Sequence, residues 1–368
     1  TILLFVIPTG IPLVAKLIWA TLAYMLWDTA YTLCDVPIFG IVTTMTLDQK
    51  ERVSLNSIGR IFAIFAGIVT GILLPLVRQS LGGWATTVIV LSILSAAMMI
   101  PMCLFAKERV IEREKARDGG AEENYTLRDM VECLRSNKYL LIFFAAPLIN
   151  SLLNIGATWG LYIARYCLGG EEIASFVSMA VIVPTLIGAA IAVQLCKKYD
   201  KFKIFYFSYM FALILGIVRY IAGYENMMVY VILNALGGFP LGIAAILQYQ
   251  FTPDCYEYGQ YKTGLKMRGV TFAAQTFFTK LNGAIATAVS VFALTLIGFK
   301  EGEGVIQAAG FADKLWTFSC LGSIIGGIGT LLILRLYKLN DHDVQLMSKC
   351  NNGEITREEA EAQMINRY

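Results

Sequence analysis

The chain has 368 residues, 57% hydrophobic and only 15% charged, where a water-soluble domain carries about 25% charged residues; its mean hydropathy is +0.62. A formal net charge of +3 is too small for this length to suggest nucleic acid as a partner. His342 is the only histidine, which excludes a histidine-based metal site or triad, and the eight cysteines lack CxxC spacing and read as small packing residues.

The apolar residues fall in blocks of about 20, the length that crosses a bilayer core. Many blocks are apolar on every face, which suits lipid rather than water. Ten membrane helices are predicted, near residues 1–14, 17–45, 58–78, 85–105, 139–167, 172–196, 203–222, 226–252, 269–299 and 313–337. The first starts inside an apolar run at Thr1, without an initiator Met, and is read as incomplete. Prolines such as Pro37, Pro101, Pro147, Pro184 and Pro240 do not veto helices here, because neighbouring groups in a membrane protein satisfy the freed carbonyls. The run GSIIGGIG at 322–329 predicts a close helix–helix contact.

Charge placement orients these helices. Residues 46–60, 106–138, 197–203, 253–268 and the tail from 335 form alternate loops and hold 23 of the 30 Lys and Arg. That bias places them, and the C-terminus, in the cytoplasm. The longest internal loop, 106–138, has eight basic and eight acidic residues, and TLRDMVECLRSNKY at 126–139 reads as an amphipathic helix. Four predicted spans precede this loop and six follow it. Many transporters join two six-span halves by a cytoplasmic loop, a template that puts two further spans ahead of Thr1. The expected organisation is an N-terminal half over 1–105 (spans three to six), a central loop over 106–138, a C-terminal half over 139–337 (spans seven to twelve) and a cytoplasmic tail over 338–368. An internal echo supports two pseudo-symmetric halves. TLDQKERVSLNSIGRIFA and TPDCYEYGQYKTGLKMRGVTFA follow equivalent spans, and each has an Asp after Thr-x (Asp48, Asp254), mixed charge, and an Arg before the next helix (Arg60, Arg268).

Several charges lie inside the apolar blocks, where each costs about 2.5–3.5 kcal/mol on insertion scales. Asp35 lies deep in the second block, and Asp28 is two helical turns earlier on nearly the same face. Tyr31, Thr32 and Phe39 share that stripe. Carboxylates flanked by hydroxyls and rings suit a polyol, since the carboxylate accepts hydroxyl hydrogen bonds and a ring stacks on C–H faces; an interhelical hydrogen bond or ion pair is the alternative. Lys280 lies a third of the way into its span with Thr276 one turn before it, and reads as an ion-pair partner or a cation competitor, with snorkelling as the alternative. Arg165 and Arg219, near the outer ends of their spans, read as snorkelling residues.

Asp-x-Pro at Asp35–Pro37 followed by TLDQKERVSLNSIGR, and DCYEYGQYKTGLKMRG followed by QTFFTK, resemble the glycoside–pentoside–hexuronide:cation symporter family of the major facilitator superfamily. The resemblance runs over essentially the whole chain. It implies an all-α polytopic membrane protein of the major-facilitator type, with about ten of twelve transmembrane helices present, working by alternating access. It implies that Asp35 binds sugar, with Arg60 nearby and Phe39 stacking beside it; Tyr31 is expected with them from its place on the same stripe. Phe39 stands where the best-known member has Trp. It implies that Thr32 borders a cation site, that Lys280 lies close to both the cation and the sugar, and that Thr276 lines the cavity. Asp48, Arg52, Asp254 and Arg268 are expected to form a cytoplasmic gate.

The function so implied is cation-coupled symport of a glycoside or other sugar, with Na⁺ or H⁺ as the coupling ion and no cofactor. The expected setting is the plasma membrane bilayer, as a monomer. The family's cation-binding acids lie on its first two spans, outside this sequence, so coupled transport is not expected of these 368 residues alone. Asp28 departs from the family, whose best-known member has Gly there. Transport of a lysophospholipid-like or other organic solute on the same fold is a second expectation, and a non-transporting membrane sensor a third. Nothing in the sequence supports an enzyme.

Overall fold

The computed structural model describes the chain apart from residues 7, 9, 11, 46–50, 52, 53, 56, 57, 60, 64, 68–83, 107–126, 171, 266, 267 and 301–305. All regular structure among the described residues is helical. Six helices there are long and apolar enough to cross a membrane: Ala85–Phe105, Phe176–Leu195, Lys201–Ala222, Met227–Thr263, Gly269–Leu296 and Phe311–Leu334. Large apolar side chains such as Leu22, Leu33, Leu104, Ile221, Phe292 and Leu296 point outward. Apolar surface on this scale needs lipid around it, so the chain is a multi-pass membrane protein.

Contacts divide the chain into two units, Thr1–Asn124 and Tyr125–Tyr368. The first holds a short helix α1 (Ile2–Phe5), a long α2 (Leu13–Met45) and α3 (Trp84–Phe105). The 33 residues of α2 make about 50 Å of helix, longer than a bilayer core is thick. The indole N–H of Trp19 donates to the Leu3 carbonyl at 3.1 Å and holds α1 against α2. Continuous helix from Leu13 moves the expected boundary between the first two blocks to before residue 13. The block predicted at 58–78 lies largely outside the described residues.

The second unit opens with α4 (Leu127–Ser136), the amphipathic helix expected from the central loop. Asn137 then caps α5 (Lys138–Leu153), accepting from the Leu140 N–H at 3.1 Å and donating to the Cys255 carbonyl 118 residues away. The block predicted over 139–167 is not one helix. It breaks after Leu153, turns through residues 154–159 and resumes as α6 (Gly160–Cys167). The break is pinned at two points. Gly156 lies against the Ser319 backbone, where a Cβ would come within 2.6 Å of Cα, and the fully buried Trp159 donates its indole N–H to the Ser290 carbonyl at 3.0 Å. Hydrophobic periodicity cannot reveal such a break, because both halves are equally apolar.

Helices α7 (Glu172–Leu195), α8 (Lys201–Ala222) and α9 (Met227–Leu247) follow. α7 and α9 make the closest pairing in the unit, because Gly188, Gly238 and Gly242 let each backbone touch carbonyls of the other helix. After a 3₁₀ turn at Gln248–Gln250 the chain continues as α10 (Phe251–Thr263), then α11 (Arg268–Leu296) and α12 (Phe311–Leu334). The residues predicted as a loop over 253–268 are therefore helical as far as Thr263. Most of α10 is also buried: Phe251, Thr252, Asp254, Cys255, Tyr256, Tyr258, Gly259 and Tyr261 all lie inside. The apolar and aromatic spacing 251/255/258 presents one face to α5, while charges at 254, 257 and 262 made the segment read as a solvated loop. The glycine run on α12 makes the contact expected of it: Gly322 meets Ile155, and Gly326 meets Asn150 and Asn154.

The tail folds back as α13 (Asp341–Asn351) and α14 (Arg357–Gln363). α13 packs on α10, burying Val344 and Met347. α14 starts with a reciprocal Thr356–Glu359 capping box.

Candidate functional site

Helix α2 carries the first group of expected residues. At 100° per residue, positions 24, 27, 28, 31, 32, 35 and 39 fall within an arc of about 140°. One flank of the arc is aromatic. Trp27 stacks on Tyr31 with ring centroids 5.6 Å apart and planes 22° apart, and Tyr24 tilts against Trp27 at 5.8 Å. Tyr31 is 47% exposed, so it offers a face to a ligand or a neighbouring surface. The other flank is polar. Thr32 donates its hydroxyl to the Asp28 carbonyl at 2.7 Å, a bond within the helix. Asp35 and Phe39 lie on the same arc of continuous helix, with their side chains outside what is described. Helix continues through Pro37, which has no N–H to give the Leu33 carbonyl, a backbone acceptor two residues from Asp35.

Helix α11 carries the second group. Its seam with α5 includes Phe278 and Asn282. Phe278 stacks on Phe144 at 4.7 Å, and Asn282 accepts from the Ser151 hydroxyl at 2.6 Å. Thr276 and Lys280 are on the opposite side of the helix by register. Both are half-buried, and Thr276 donates to the Phe272 carbonyl at 3.3 Å. The structure thus places Tyr31, Thr32, Asp35 and Phe39 together on α2, and Thr276 and Lys280 together on α11. Asp48, Arg52 and Arg60 lie outside the described residues. Arg268 starts α11, and its side chain is not described.

Asp254 has a definite partner. Its carboxylate is buried and brackets the Lys201 ammonium, with both oxygens 2.7 Å from Nζ. Asp341, at the start of α13, contacts the same ammonium at 3.1 Å. Its other oxygen accepts from the Lys201 backbone N–H at 3.0 Å. Asp200 completes the ring: one oxygen caps α8 by accepting from Phe202 and Lys203, and the other accepts from the Asp341 N–H at 2.8 Å. Two carboxylates thus hold one ammonium, and Asp200 ties the N-terminal ends of α8 and α13 together beside it.

Three functional features are not recovered by the sequence reading. Lys201 there is one basic residue among four in a loop; its signal is the Asp-Lys pair at a helix start, with the aspartate as N-cap. Trp27 has a clear signal, the aromatic spacing 24/27/31. Arg219 does not snorkel. Its guanidinium lies 5.8 Å over the buried Trp316 ring and donates to Asn234 at 3.4 Å, so it faces the helix bundle. Arg165 is exposed and rests 5.4 Å over the Tyr166 ring.

Comparison with known proteins gives a consistent family. A family model described as MFS/sugar transport protein matches residues 1–341. The putative glycoside/cation symporter YagG of Escherichia coli (strain K12) is 25% identical over 345 residues, covering 91% of this chain and 72% of that protein. The lactose permease of Lactobacillus helveticus is 25% identical over 367 residues, covering 91% of this chain and 52% of that protein. The isoprimeverose transporter of Lactiplantibacillus pentosus is 23% identical over 320 residues, covering 81% and 63%.

Proposed function

The chain belongs to the MFS/sugar transport protein family, and on that premise we propose that it is a cation-coupled symporter of a glycoside or related sugar, working by alternating access. It is a transporter rather than an enzyme. The observation that carries the substrate class is the arc on α2, where an aromatic flank runs beside a flank of carboxylates and a hydroxyl. Sugars have two chemically different surfaces, an edge of hydroxyls and a face of C–H groups, and such an arc serves both. The relatives' names support the same class.

In this reading Asp35 accepts hydroxyl hydrogen bonds from the sugar, while Tyr31 and Phe39 stack on its apolar face. Arg60, Thr276 and Lys280 complete the sugar contacts, and Thr32 and Lys280 border the site of a monovalent cation. Asp254 serves a cytoplasmic gate together with Asp48, Arg52 and Arg268. Each ligand favours closure of the loaded carrier, so cation and sugar raise one another's affinity by the same factor. The protein acts as a monomer in the cell membrane with its C-terminus in the cytoplasm, as the distribution of Lys and Arg supports.

The test is uptake of labelled glycosides into cells expressing this chain together with the two spans expected ahead of Thr1, with Na⁺ and H⁺ gradients imposed separately. Accumulation should follow one of the gradients, and Asp35→Asn should weaken sugar affinity at least tenfold. Accumulation that ignores every cation gradient refutes symport. Unchanged affinity in Asp35→Asn refutes the sugar site.

A further inference from the structure

The segment after the last membrane helix is tied to the Lys201–Asp254 pair through two aspartates spaced two residues apart. Asp341 reaches Lys201 twice, by ammonium and by backbone N–H. Asp343 is fully buried and holds the far end of the same segment. Its carboxylate accepts from the Ile365 N–H at 2.8 Å, the Asn366 N–H at 3.1 Å, the Tyr368 hydroxyl at 2.8 Å and the Asn340 amide at 2.7 Å. Tyr368 then packs edge-on against Tyr139 of α5 and Tyr258 of α10, at 5.9 and 6.0 Å. Asn351 donates to Glu257 of α10, and the Tyr261 hydroxyl of α10 donates to Glu361 of α14. Residues 340–368 therefore join the ends of α5, α8, α10 and α12.

We propose that Asp341 is a positioning residue for the Lys201–Asp254 pair, and that Asp343 is the anchor that keeps it there. The geometry requires this division of labour. A lysine ammonium on a flexible four-carbon stem has three donors and no fixed direction of approach. Asp254 alone occupies one side of it. Asp341 occupies a second side and also grips the backbone from which the lysine chain springs, so the stem is held at both ends. Asp341 itself is set by its N–H bond to Asp200 and by the fold of α13, which Asp343 closes onto residues 365–368. The consequence is that α8, α10 and the segment after α12 move as one block. The effect on transport rests on the gating role given to Asp254 above; the positional effect does not.

The experiment combines hydrogen–deuterium exchange with sugar uptake for Asp341→Ala, Asp341→Glu, Asp343→Asn and the double variant Asp341→Ala/Asp343→Asn. Asp341→Ala should speed exchange over the first turn of α8 at least tenfold and lower maximal uptake at least fivefold, with the KM for sugar within twofold of normal. Asp341→Glu should restore most of the rate. Asp343→Asn should expose residues 355–368 to exchange and reproduce the rate defect, and the double variant should be no slower than Asp341→Ala. Four results would overturn the proposal: unchanged exchange at α8, faster exchange with normal uptake, a raised KM at normal maximal rate, or additive defects in the double variant. Uptake is measured with the two spans expected ahead of Thr1 in place; if that protein, without substitution, carries no glycoside, the transport reading fails, and exchange alone then decides whether Asp341 positions Lys201.

Discussion

Gly237 and Gly238 are neighbours on α9, yet changing each to Ala should shift stability in opposite directions. A Cβ at Gly237 meets nothing within 4 Å. The substitution there adds only the helix preference of Ala over Gly, about 0.8–1 kcal/mol. A Cβ at Gly238 would lie 2.5 Å from the Val181 carbonyl oxygen and 2.8 Å from the Thr185 hydroxyl, and one at Gly242 would lie 2.8 Å from the Thr185 carbonyl carbon and 2.9 Å from the Ala189 nitrogen. Carbon atoms prefer about 3.5–4.0 Å, so α7 and α9 would have to part by on the order of 1 Å. Most of these obstacles are backbone and cannot rotate away. Overpacking costs about 1–3 kcal/mol, and the upper part applies here. After the helix-preference gain, Gly242→Ala should lose roughly 1–2 kcal/mol. For a chain of this size that is about 2–4 °C in apparent melting temperature, while Gly237→Ala should gain about 2 °C. The assay is thermal unfolding in detergent micelles at a fixed scan rate, with all three variants side by side. If Gly242→Ala melts with or above the unmodified protein, α7 and α9 do not meet at Thr185, and the pairing described for them is wrong.

Three further outcomes are expected. Lys201→Met should destabilise by about 3–5 kcal/mol because it strands the buried Asp254 carboxylate, and adding Asp254→Asn should recover part of the loss; strictly additive melts would show that the two side chains do not interact. Burial pushes the Asp343 carboxyl up, but the Ile365 N–H, the Tyr368 hydroxyl, the Asn366 N–H and the Asn340 amide outweigh it and hold it below the usual carboxylate range. The folded tail thus favours the ionised form, so its docking should be fully stabilised above the ordinary carboxylate pKa and weaken as pH falls through the lower folded value. Exchange of residues 355–368, corrected for intrinsic rates, measures this, and docking that strengthens on acidification would contradict it. Trp27→Leu should remove the ring that supports Tyr31 and weaken sugar binding about two- to tenfold, the range of one aromatic contact, with melting unchanged. Protection of the protein by sugar against thermal unfolding reports that affinity, and a Trp27→Leu protein that binds sugar normally would remove Trp27 from the site.

Much of the fold is legible in the sequence because hydrophobicity is a property of each residue where it stands. The apolar blocks at 85–105, 172–196, 203–222, 269–299 and 313–337 return as α3, α7, α8, α11 and α12 within a few residues. The amphipathic stretch after the central loop and the glycine run on α12 return as well, since each is a local pattern with a single reading. The aromatic and acidic arc on α2 is equally visible, because helical spacing alone brings its members to one face. What the tertiary structure decided is which residue meets which. Lys201 pairs with Asp254 across 53 residues and with Asp341 of the tail further on, and no local pattern encodes either choice. Charges at 254, 257 and 262 make α10 look like a solvated loop; only neighbours that cover Phe251, Cys255 and Tyr258 make it a buried helix. Arg219 faces Trp316 instead of the headgroups because a ring is waiting there. The break after Leu153 is held open by Gly156 on Ser319 and by Trp159 on Ser290, partners more than 130 residues away. Solvent preference is written into each side chain, but the partner of a charge, a ring or a bare backbone exists only once the helices are side by side.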